Sequence, residues 1–274
     1  MSKISPELVK DFIANFYGYG NLKSKYWFIS LEEGGGKEEQ EVIERINSWN
    51  LRGKKTVEDC KSFHSSIGIN DFFNNSPKFQ PVWKRYIRVL QVLLKNKEFL
   101  NLNHEEQDSI ILDYQNNSFA NQNGEICLLE LRPLPSPKVS IWNYGDIKKF
   151  PNFSKLNFLK DRDTYENKIH LGRIKRIKNL IETHNPQFVI FFSDSIKIKE
   201  HWKEIMGEVP KRLGNFYYQK RNGTNYLIAK HAIAIEYDKN FNLETDKINY
   251  FDELAQHIIN LSESFSKIET KISN

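Results

Sequence analysis

Tyr26-Trp-Phe-Ile-Ser-Leu-Glu-Glu-Gly-Gly-Gly36 is the stretch that decides the fold of this chain. Its first half is short, apolar and rich in aromatic and β-branched residues, which is typical of a buried strand. Tyr226-Leu-Ile-Ala-Lys-His231, near the other end of the chain, has the same form and ends in an imidazole. Because ligands bind beyond the carboxyl ends of the strands in a parallel sheet, we expect Glu32, Glu33 and His231 to meet at one site.

Further apolar runs alternate with amphipathic stretches along the chain. Strands are predicted at 25–31, 125–131, 188–192 and 225–230, with a short one at 216–219. Apolar residues at helical spacing predict helices at 6–17, 42–49, from 81 onward, and at 165–183, 195–206 and 251–268. Helical crossovers between parallel strands cover both faces of a sheet. We therefore expect one α/β domain over residues 1–274, a three-layer α/β/α sandwich around a central, mainly parallel, four-stranded sheet.

The composition fits a globular protein. Of the 274 residues, 39% are hydrophobic and 27% are charged, and the net charge is +5. No apolar run approaches the roughly 20 residues of a membrane-spanning helix, and the first residues lack the apolar core of a secretory signal. Cys60 and Cys127 are too few for a disulfide framework or an iron–sulfur site. We expect a cytoplasmic monomer that requires no cofactor or metal ion and does not associate with a membrane.

Basic residues cluster in two segments. The first cluster comprises Arg162, Lys168, Arg173, Lys175, Arg176 and Lys178, and the second comprises Lys211, Arg212, Lys220 and Arg221 near Trp202, Phe216, Tyr217 and Tyr218. Each cluster is also what a solvated helix or loop face looks like. Cations mixed with aromatic rings beside a strand-end site favour a polymer that carries phosphates, and we expect DNA.

The order of these segments resembles the uracil-DNA glycosylase superfamily. The matching parts, in order, are Ser30-Leu-Glu-Glu33 with Gly34, Gly35 and Gly36, then Phe79-Gln-Pro-Val-Trp83, Cys127-Leu-Leu-Glu-Leu-Arg-Pro133, Asn185-Pro-Gln-Phe-Val-Ile-Phe-Phe192 and Ile228-Ala-Lys-His231. The last motif usually reads His-Pro-Ser in that family, whereas this chain has His231-Ala-Ile. The resemblance implies a uracil-DNA-glycosylase-like fold and hydrolysis of an N-glycosidic bond.

The chemistry of that reaction matches the residue types. The sugar becomes positive and the departing base negative, so a carboxylate near the sugar and a hydrogen-bond donor near the base both accelerate cleavage. The resemblance assigns the first role to Glu32 and the second to His231, with Glu33 as a substrate contact. Gly34, Gly35 and Gly36 would let the backbone approach the phosphate or the extruded sugar. A flexible turn and an ordinary strand-end histidine are the alternatives.

The base must leave the duplex to be reached, and it then stacks between apolar groups. Phe79 and Trp83 are the candidates for this platform, with core packing as the alternative. Glu130 lies on the strand that reads the base in the family. An ionised carboxylate only accepts hydrogen bonds, so it would suit the amino group of a cytosine-type base better than uracil. This predicts a modified cytosine and a defence role against phage; the alternative is that Glu130 pairs with Arg132.

The remaining candidates contact DNA outside the base pocket. Phosphate contacts are predicted for the basic side chains of Arg132, Arg173, Arg176 and Lys230. Residues after His231 could fill the gap that the extruded base leaves in the stack, and here we expect Ile233 and Tyr237, with Ile235 between them.

Two other classes of function stay open. In a metal-dependent nuclease, carboxylates would hold Mg²⁺, and the candidates are Glu32, Glu33, Asp59 or Asp71, and Glu130 beside Arg132. In a non-catalytic DNA or nucleotide binder, Gly-Gly-Gly-Lys37 would act as a phosphate loop. That motif needs Ser or Thr after the lysine, and this chain has Glu38.

Overall fold

A computed structural model of the protein describes residues 4–237 and 244–272. The strands are β1 (Gly18–Gly20), β2 (Tyr26–Glu32), β3 (Val57–Glu58), β4 (Ile126–Arg132), β5 (Phe188–Phe192), β6 (Lys211–Leu213), β7 (Phe216–Arg221) and β8 (Thr224–Ala229). The helices are α1 (Pro6–Asn15), α2 (Glu39–Leu51), α3 (Cys60–Ser66), α4 (Pro81–Lys95), α5 (Lys97–Leu100), α6 (His104–Asn117), α7 (Arg162–His184), α8 (Ile196–Met206) and α9 (Glu244–Ile272). None of the helices in these two ranges has the length and apolar character that crossing a membrane requires.

All the strands join one mixed sheet of eight strands, in the order β3-β1-β4-β2-β5-β8-β7-β6. The neighbours β4, β2, β5 and β8 run parallel to one another. At the two edges, β1 is antiparallel to β4, β7 to β8, and β6 to β7. The prediction of an α/β fold is confirmed, but the sheet is mixed and twice as wide as the expected four strands.

The short strand β1, which lies between β3 and β4, shows why the sheet is wider than expected. Its sequence is Gly-Tyr-Gly, and it directly follows the helix predicted at 6–17. Gly18 has a φ of +139° and Gly20 a φ of +103°, a region that L side chains rarely adopt. A Cβ at Gly18 would collide with the carbonyl oxygen of Leu128 on β4. These glycines allow close pairing of two strands rather than a helix end.

Helices pack on both faces of the parallel strands. Alternate strand residues such as Phe28 and Ile190 join a core with Tyr86 of α4 and Leu254 of α9. The intervening residues, Trp27 among them, join a second core built with α7 and α8. Strand residues therefore alternate between two buried faces, which explains their nearly continuous apolar runs.

Strand order and register position the site. From β2 the chain passes to β4 on one side, and then to β5 and β8 on the other. Ligands bind at such a switch point, beyond the carboxyl ends of the strands. Ser30 is in register with Glu130, and Glu32 with Arg132. Because residues in register share a face of the sheet, the polar ends of β2 and β4 form one row above the α4 and α9 core.

Candidate active site

Glu32 is the last residue of β2, and its side chain is only 6% exposed. Its Oε2 accepts hydrogen bonds from Arg162 at 2.7 Å and from Arg132 at 3.2 Å. Its Oε1 is buried and has no hydrogen-bond partner among the described residues. Buried carboxylate oxygens are normally paired, so this oxygen is available to a water or a substrate.

The two arginines are held firmly. Arg132 also pairs with Glu166 of α7 at 2.7 Å, and Arg162 donates to Ser136 Oγ and to the carbonyl of Ile141, each at 2.9 Å. Because Arg132 is 3% exposed and lies between two carboxylates, it orients Glu32. The prediction that Arg132 contacts a DNA phosphate is therefore wrong.

His231 follows β8 and points into the same end of the sheet. Its Nδ1 accepts the N–H of Ile233 at 3.3 Å, so the proton of the neutral ring lies on Nε2. Burial lowers the pKa of His231, and the nearby Glu32 carboxylate opposes that effect. A neutral imidazole that offers an Nε2–H therefore lies within electrostatic reach of Glu32, as predicted from the two strand ends.

Glu33 has different surroundings from those of its neighbour. Its Oε2 accepts from Arg45 at 2.6 Å and from Tyr19 at 2.7 Å, and its Oε1 accepts from His64 at 2.7 Å. Burial alone would raise the pKa of Glu33, but the charges of Arg45 and His64 outweigh it and lower the pKa to about 2. The cluster of Tyr19, Arg45 and His64 thus occupies both oxygens of Glu33. Glu33 therefore has a structural role and not the expected role as a substrate contact.

His64 carries a charge in that cluster. Its Nε2 faces the Glu33 carboxylate, and its Nδ1 lies 2.7 Å from the carbonyl oxygen of Cys60. Both neighbours are acceptors, so the ring donates from both nitrogens and is an imidazolium. The cluster thus fastens the end of β2 to β1, α2 and α3 through Tyr19, Arg45 and His64.

The three glycines after Glu33 form an ordered loop. The N–H groups of Gly36 and Lys37 both donate to the Glu41 carboxylate of α2. Gly36 has a φ of +64°, and a Cβ there would collide with the carbonyl oxygen of Pro135. Gly35 and Gly36 thus serve packing within the protein. Only Gly34 faces open space, since no atom lies within 4 Å of its hypothetical Cβ, so it alone keeps the predicted approach to a sugar or phosphate.

Glu130 is buried on the same face as Glu32, and its Oε2 has no partner among the described residues. Burial, and then the charges of Glu33 and Glu32, raise the pKa of Glu130 well above its ordinary value, with Arg173 opposing them. This favours a neutral carboxyl group, which both donates and accepts hydrogen bonds. The raised pKa argues against the ionised, acceptor-only Glu130 that we expected, and Arg132 pairs with Glu32 and Glu166 instead.

The aromatic candidates divide between core and surface. Trp83 is 5% exposed and packs against His64, Phe73 and Phe119, so it belongs to the core and offers no platform to a base. Phe79 is half-buried, and the ammonium of Lys84 lies 4.4 Å from its ring centre.

The predicted DNA contacts divide in the same way. Arg173 is 2% exposed and donates to the carbonyls of Ile13, Phe16, Glu130 and Leu131, so its assignment to DNA is wrong. Arg176 is exposed, and Lys230 lies 3.6 Å from Asp194. Ile233 is 38% exposed, but Ile235 is buried, which excludes it as a wedge. The side chain of Tyr237 lies outside the described part of the structure.

The sequence reasoning missed several residues of the site. Glu32 is bound by Arg162 of α7, and Glu166 of the same helix binds Arg132. The partners of Glu33 that were not predicted are Arg45, His64 and Tyr19. One signal was present, because a carboxylate at the end of a buried strand needs cationic partners. The sequence does not reveal which cations those are.

The carboxylates considered for a metal site do not lie close enough together to share a metal ion. Asp59 caps α3 by accepting the N–H of Ser62, and Asp71 is exposed and pairs with Lys78. Within residues 4–237 and 244–272, no three His, Cys, Asp or Glu side chains are grouped so that they could hold a metal ion.

The chain was compared with known families, curated proteins and solved structures. No family model matches its sequence, and no curated protein or solved structure shows significant similarity to it.

Proposed function

We propose that the protein is a DNA glycosylase that hydrolyses the N-glycosidic bond of a flipped-out base and leaves an abasic site. One observation carries the proposal: the unpartnered, buried Oε1 of Glu32 lies at the same end of the sheet as the neutral His231. The acceptor Glu32 Oε1 and the donor His231 Nε2–H thus have no partner among the described residues at the switch point of the sheet. The order of segments that resembles the uracil-DNA glycosylase superfamily supports the same reaction.

Each group has a role in that reaction. Glu32 Oε1 accepts a hydrogen bond from the attacking water and stabilises positive charge on the sugar. The water oxygen bonds to C1′ of the sugar and its proton passes to Glu32 Oε1, while the C1′–N bond breaks and its electron pair leaves with the base. His231 donates its Nε2–H to the base as negative charge develops there. Arg132 and Arg162 keep the carboxylate fixed during these steps, since both bind Oε2.

Glu130 is our candidate for reading the base. A neutral carboxyl group donates to N3 of cytosine and accepts from its exocyclic amino group, which gives two complementary hydrogen bonds. The same carboxyl group also complements the N3–H and O4 of uracil. We keep a cytosine-type base, bearing a modification such as those of phage DNA, as the proposed substrate, and antiviral defence as the proposed role.

The test is mass spectrometry of bases released from a panel of DNAs that contain uracil, cytosine and modified cytosines. We expect a free base and an alkali-labile abasic site from a modified-cytosine DNA, in the presence of EDTA. Release of uracil alone would overturn the proposed substrate. If no base is released from any DNA, the proposed glycosylase activity is overturned.

No specific observation on the described residues favours the alternative of a metal-dependent nuclease. Three of its candidate carboxylates are engaged elsewhere, since Glu33 is bound by three donors, Asp59 caps a helix and Asp71 pairs with Lys78. EDTA separates the two reactions, because strand cleavage that disappears with chelation would favour a metal-dependent nuclease.

A further inference from the structure

A second cavity lies away from the candidate active site, between α1 and α7. It has a volume of about 690 Å³. Lys10 and Tyr17 line it from the side of α1, and Lys168, Gly172 and Arg176 line it from α7. Phe158, from the turn that precedes α7, is a half-buried aromatic side chain at its wall. We refer to this cavity as the α1/α7 groove.

The charge of the α1/α7 groove has one sign. The charged side chains that line it in the described part of the chain are Lys10, Lys168, Arg173 and Arg176. Lys10, Lys168 and Arg176 are exposed, and no carboxylate among residues 4–237 and 244–272 forms an ion pair with them. Beneath them, the buried guanidinium of Arg173 is bound by backbone carbonyls and stacks on Tyr17. The groove therefore attracts an anion.

Gly172 keeps the groove open. It lies in the middle of the 23-residue helix α7, where glycine is a poor helix former compared with alanine. No atom outside the backbone of the helix itself lies within 4 Å of its hypothetical Cβ, so a Cβ would have room here. Packing inside the protein therefore does not require glycine here, and the unfilled space belongs to the groove.

We propose that the α1/α7 groove binds nucleotide units of a single-stranded segment of the nucleic acid. Grooves that hold single strands combine cations for the backbone with aromatic rings on which bases stack. Lys10, Lys168 and Arg176 supply the cations, and Phe158 supplies the ring. This proposal rests on the proposed function, since the strand in the groove is the one whose base is removed.

Helix α7 connects the groove to the candidate active site. Arg162, at its first turn, binds Glu32. Lys168 and Arg176 follow on the same helix about 9 Å and about 21 Å along its axis from Arg162, at the usual rise per residue. A strand that leaves the site along α7 would therefore reach the cations of the groove one after the other.

The experiment measures binding of a fluorescently labelled oligodeoxythymidine of about 12 nucleotides, a length within the range that single-strand grooves hold. Gly172→Leu fills the groove, and we expect the dissociation constant to rise about tenfold or more, since a base and a phosphate lose their contacts. A Lys168→Ala and Arg176→Ala double variant should reduce the slope of log affinity against log salt by about 1.4. Lys175→Ala removes an exposed cation of the same helix that does not line the groove, and it is the matched control.

The outcomes are distinct. If Gly172→Leu binds the oligonucleotide as the parent protein does, the groove proposal fails. Thymidine monophosphate that competes as well as the oligonucleotide would indicate a free-nucleotide site and would also overturn it. Circular dichroism and the unfolding temperature check that Gly172→Leu is folded. Base release is measured separately: if no base is released from any DNA while Gly172→Leu weakens binding, the proposed function fails and the groove stands.

Discussion

Glu32 and Glu33 are adjacent in the sequence, and both carboxylates are buried near an arginine and a histidine, yet their hydrogen bonding differs. Glu33 accepts from Tyr19, Arg45 and His64, and both of its oxygens are engaged. Glu32 has two arginines on Oε2 and no partner on Oε1 among the described residues. A buried polar atom without a partner costs free energy, so it marks a place where binding can repay that cost.

The two histidines repeat the contrast. His64 donates from both nitrogens to protein acceptors and is locked inside the Glu33 cluster. His231 accepts one backbone N–H on Nδ1 and keeps the N–H on Nε2 for a ligand. The Glu33 cluster therefore stabilises the end of β2, while Glu32 Oε1 and His231 Nε2 have no partner among the described residues and take the catalytic roles in the proposed reaction.

The largest effect is expected for Glu32→Gln. The amide keeps the shape of the side chain but loses the negative charge, and we expect base release in single-turnover assays to fall by about 10²- to 10⁴-fold. Oligonucleotide binding should change little. Glu44→Gln, an exposed glutamate of α2, is the control. An activity of Glu32→Gln within threefold of the parent would contradict the assignment.

Glu33→Gln should act on stability instead. It leaves Arg45 and the imidazolium of His64 without their counter-charge, and removing one partner of a buried pair costs about 3 to 5 kcal/mol. A carboxylate whose pKa falls from 4.5 to about 2 on folding contributes stability above pH 4.5, and this is lost as the pH falls toward 2. Urea unfolding at neutral pH and at pH near 3 should show a difference from the parent that shrinks in acid. A fully stable variant would argue against the structural role.

The parallel core of the sheet could be predicted from the sequence, because each of its strands is a continuous apolar run. The strand at 188–192 was predicted with its observed limits, and β2 within one residue. The short strands β1, β3 and β6 lie outside the parallel core and have only two or three residues, too few to show alternation. Their pairing is decided by neighbours far away in the chain.

Part of the site was predictable as well. The rule that ligands bind beyond the carboxyl ends of parallel strands was enough to predict that Glu32 and His231 lie at the same end of the sheet. The state of Glu130 was not predictable, because its pKa depends on burial and on the charges of Glu33 and Glu32. The same limit applies to Arg132 and Arg173, since nothing local distinguishes an arginine that faces a phosphate from one that binds buried carboxylates or carbonyls.

Glu130 offers a smaller test of the same idea, because its Oε2 is also buried without a partner among the described residues. If the carboxyl group is neutral, Glu130→Gln keeps one donor and one acceptor, and base release should stay within about tenfold of the parent. Glu130→Ala removes both and should lose more activity. Equal losses in the two variants would indicate that the ionised form is the active one.

The pH dependence of base release tests His231. Burial lowers the pKa of His231 below its ordinary value of 6.5, and Glu32 offsets only part of that effect. The neutral form of the ring therefore predominates at pH 6.5. We expect no transition in the rate near pH 6.5, and a transition that depends on His231 only at lower pH. The rate of His231→Ala, followed over the same range, identifies that transition. A step at 6.5 in the parent that is absent from the variant would show an ordinary, solvated histidine.

Tyr19→Phe gives the smallest effect and the sharpest separation of the two carboxylates. The hydroxyl donates to Glu33 at 2.7 Å and accepts from Arg45 at 2.9 Å, and it has no contact with Glu32. Losing a hydrogen bond to a charged group costs about 1.5 to 3 kcal/mol, and Arg45 and His64 remain on Glu33, so we expect the lower end of that range. Urea unfolding measures this change, and the rate of base release should be that of the parent. A change in rate without a change in stability would mean that Glu33, and not only Glu32, takes part in the chemistry.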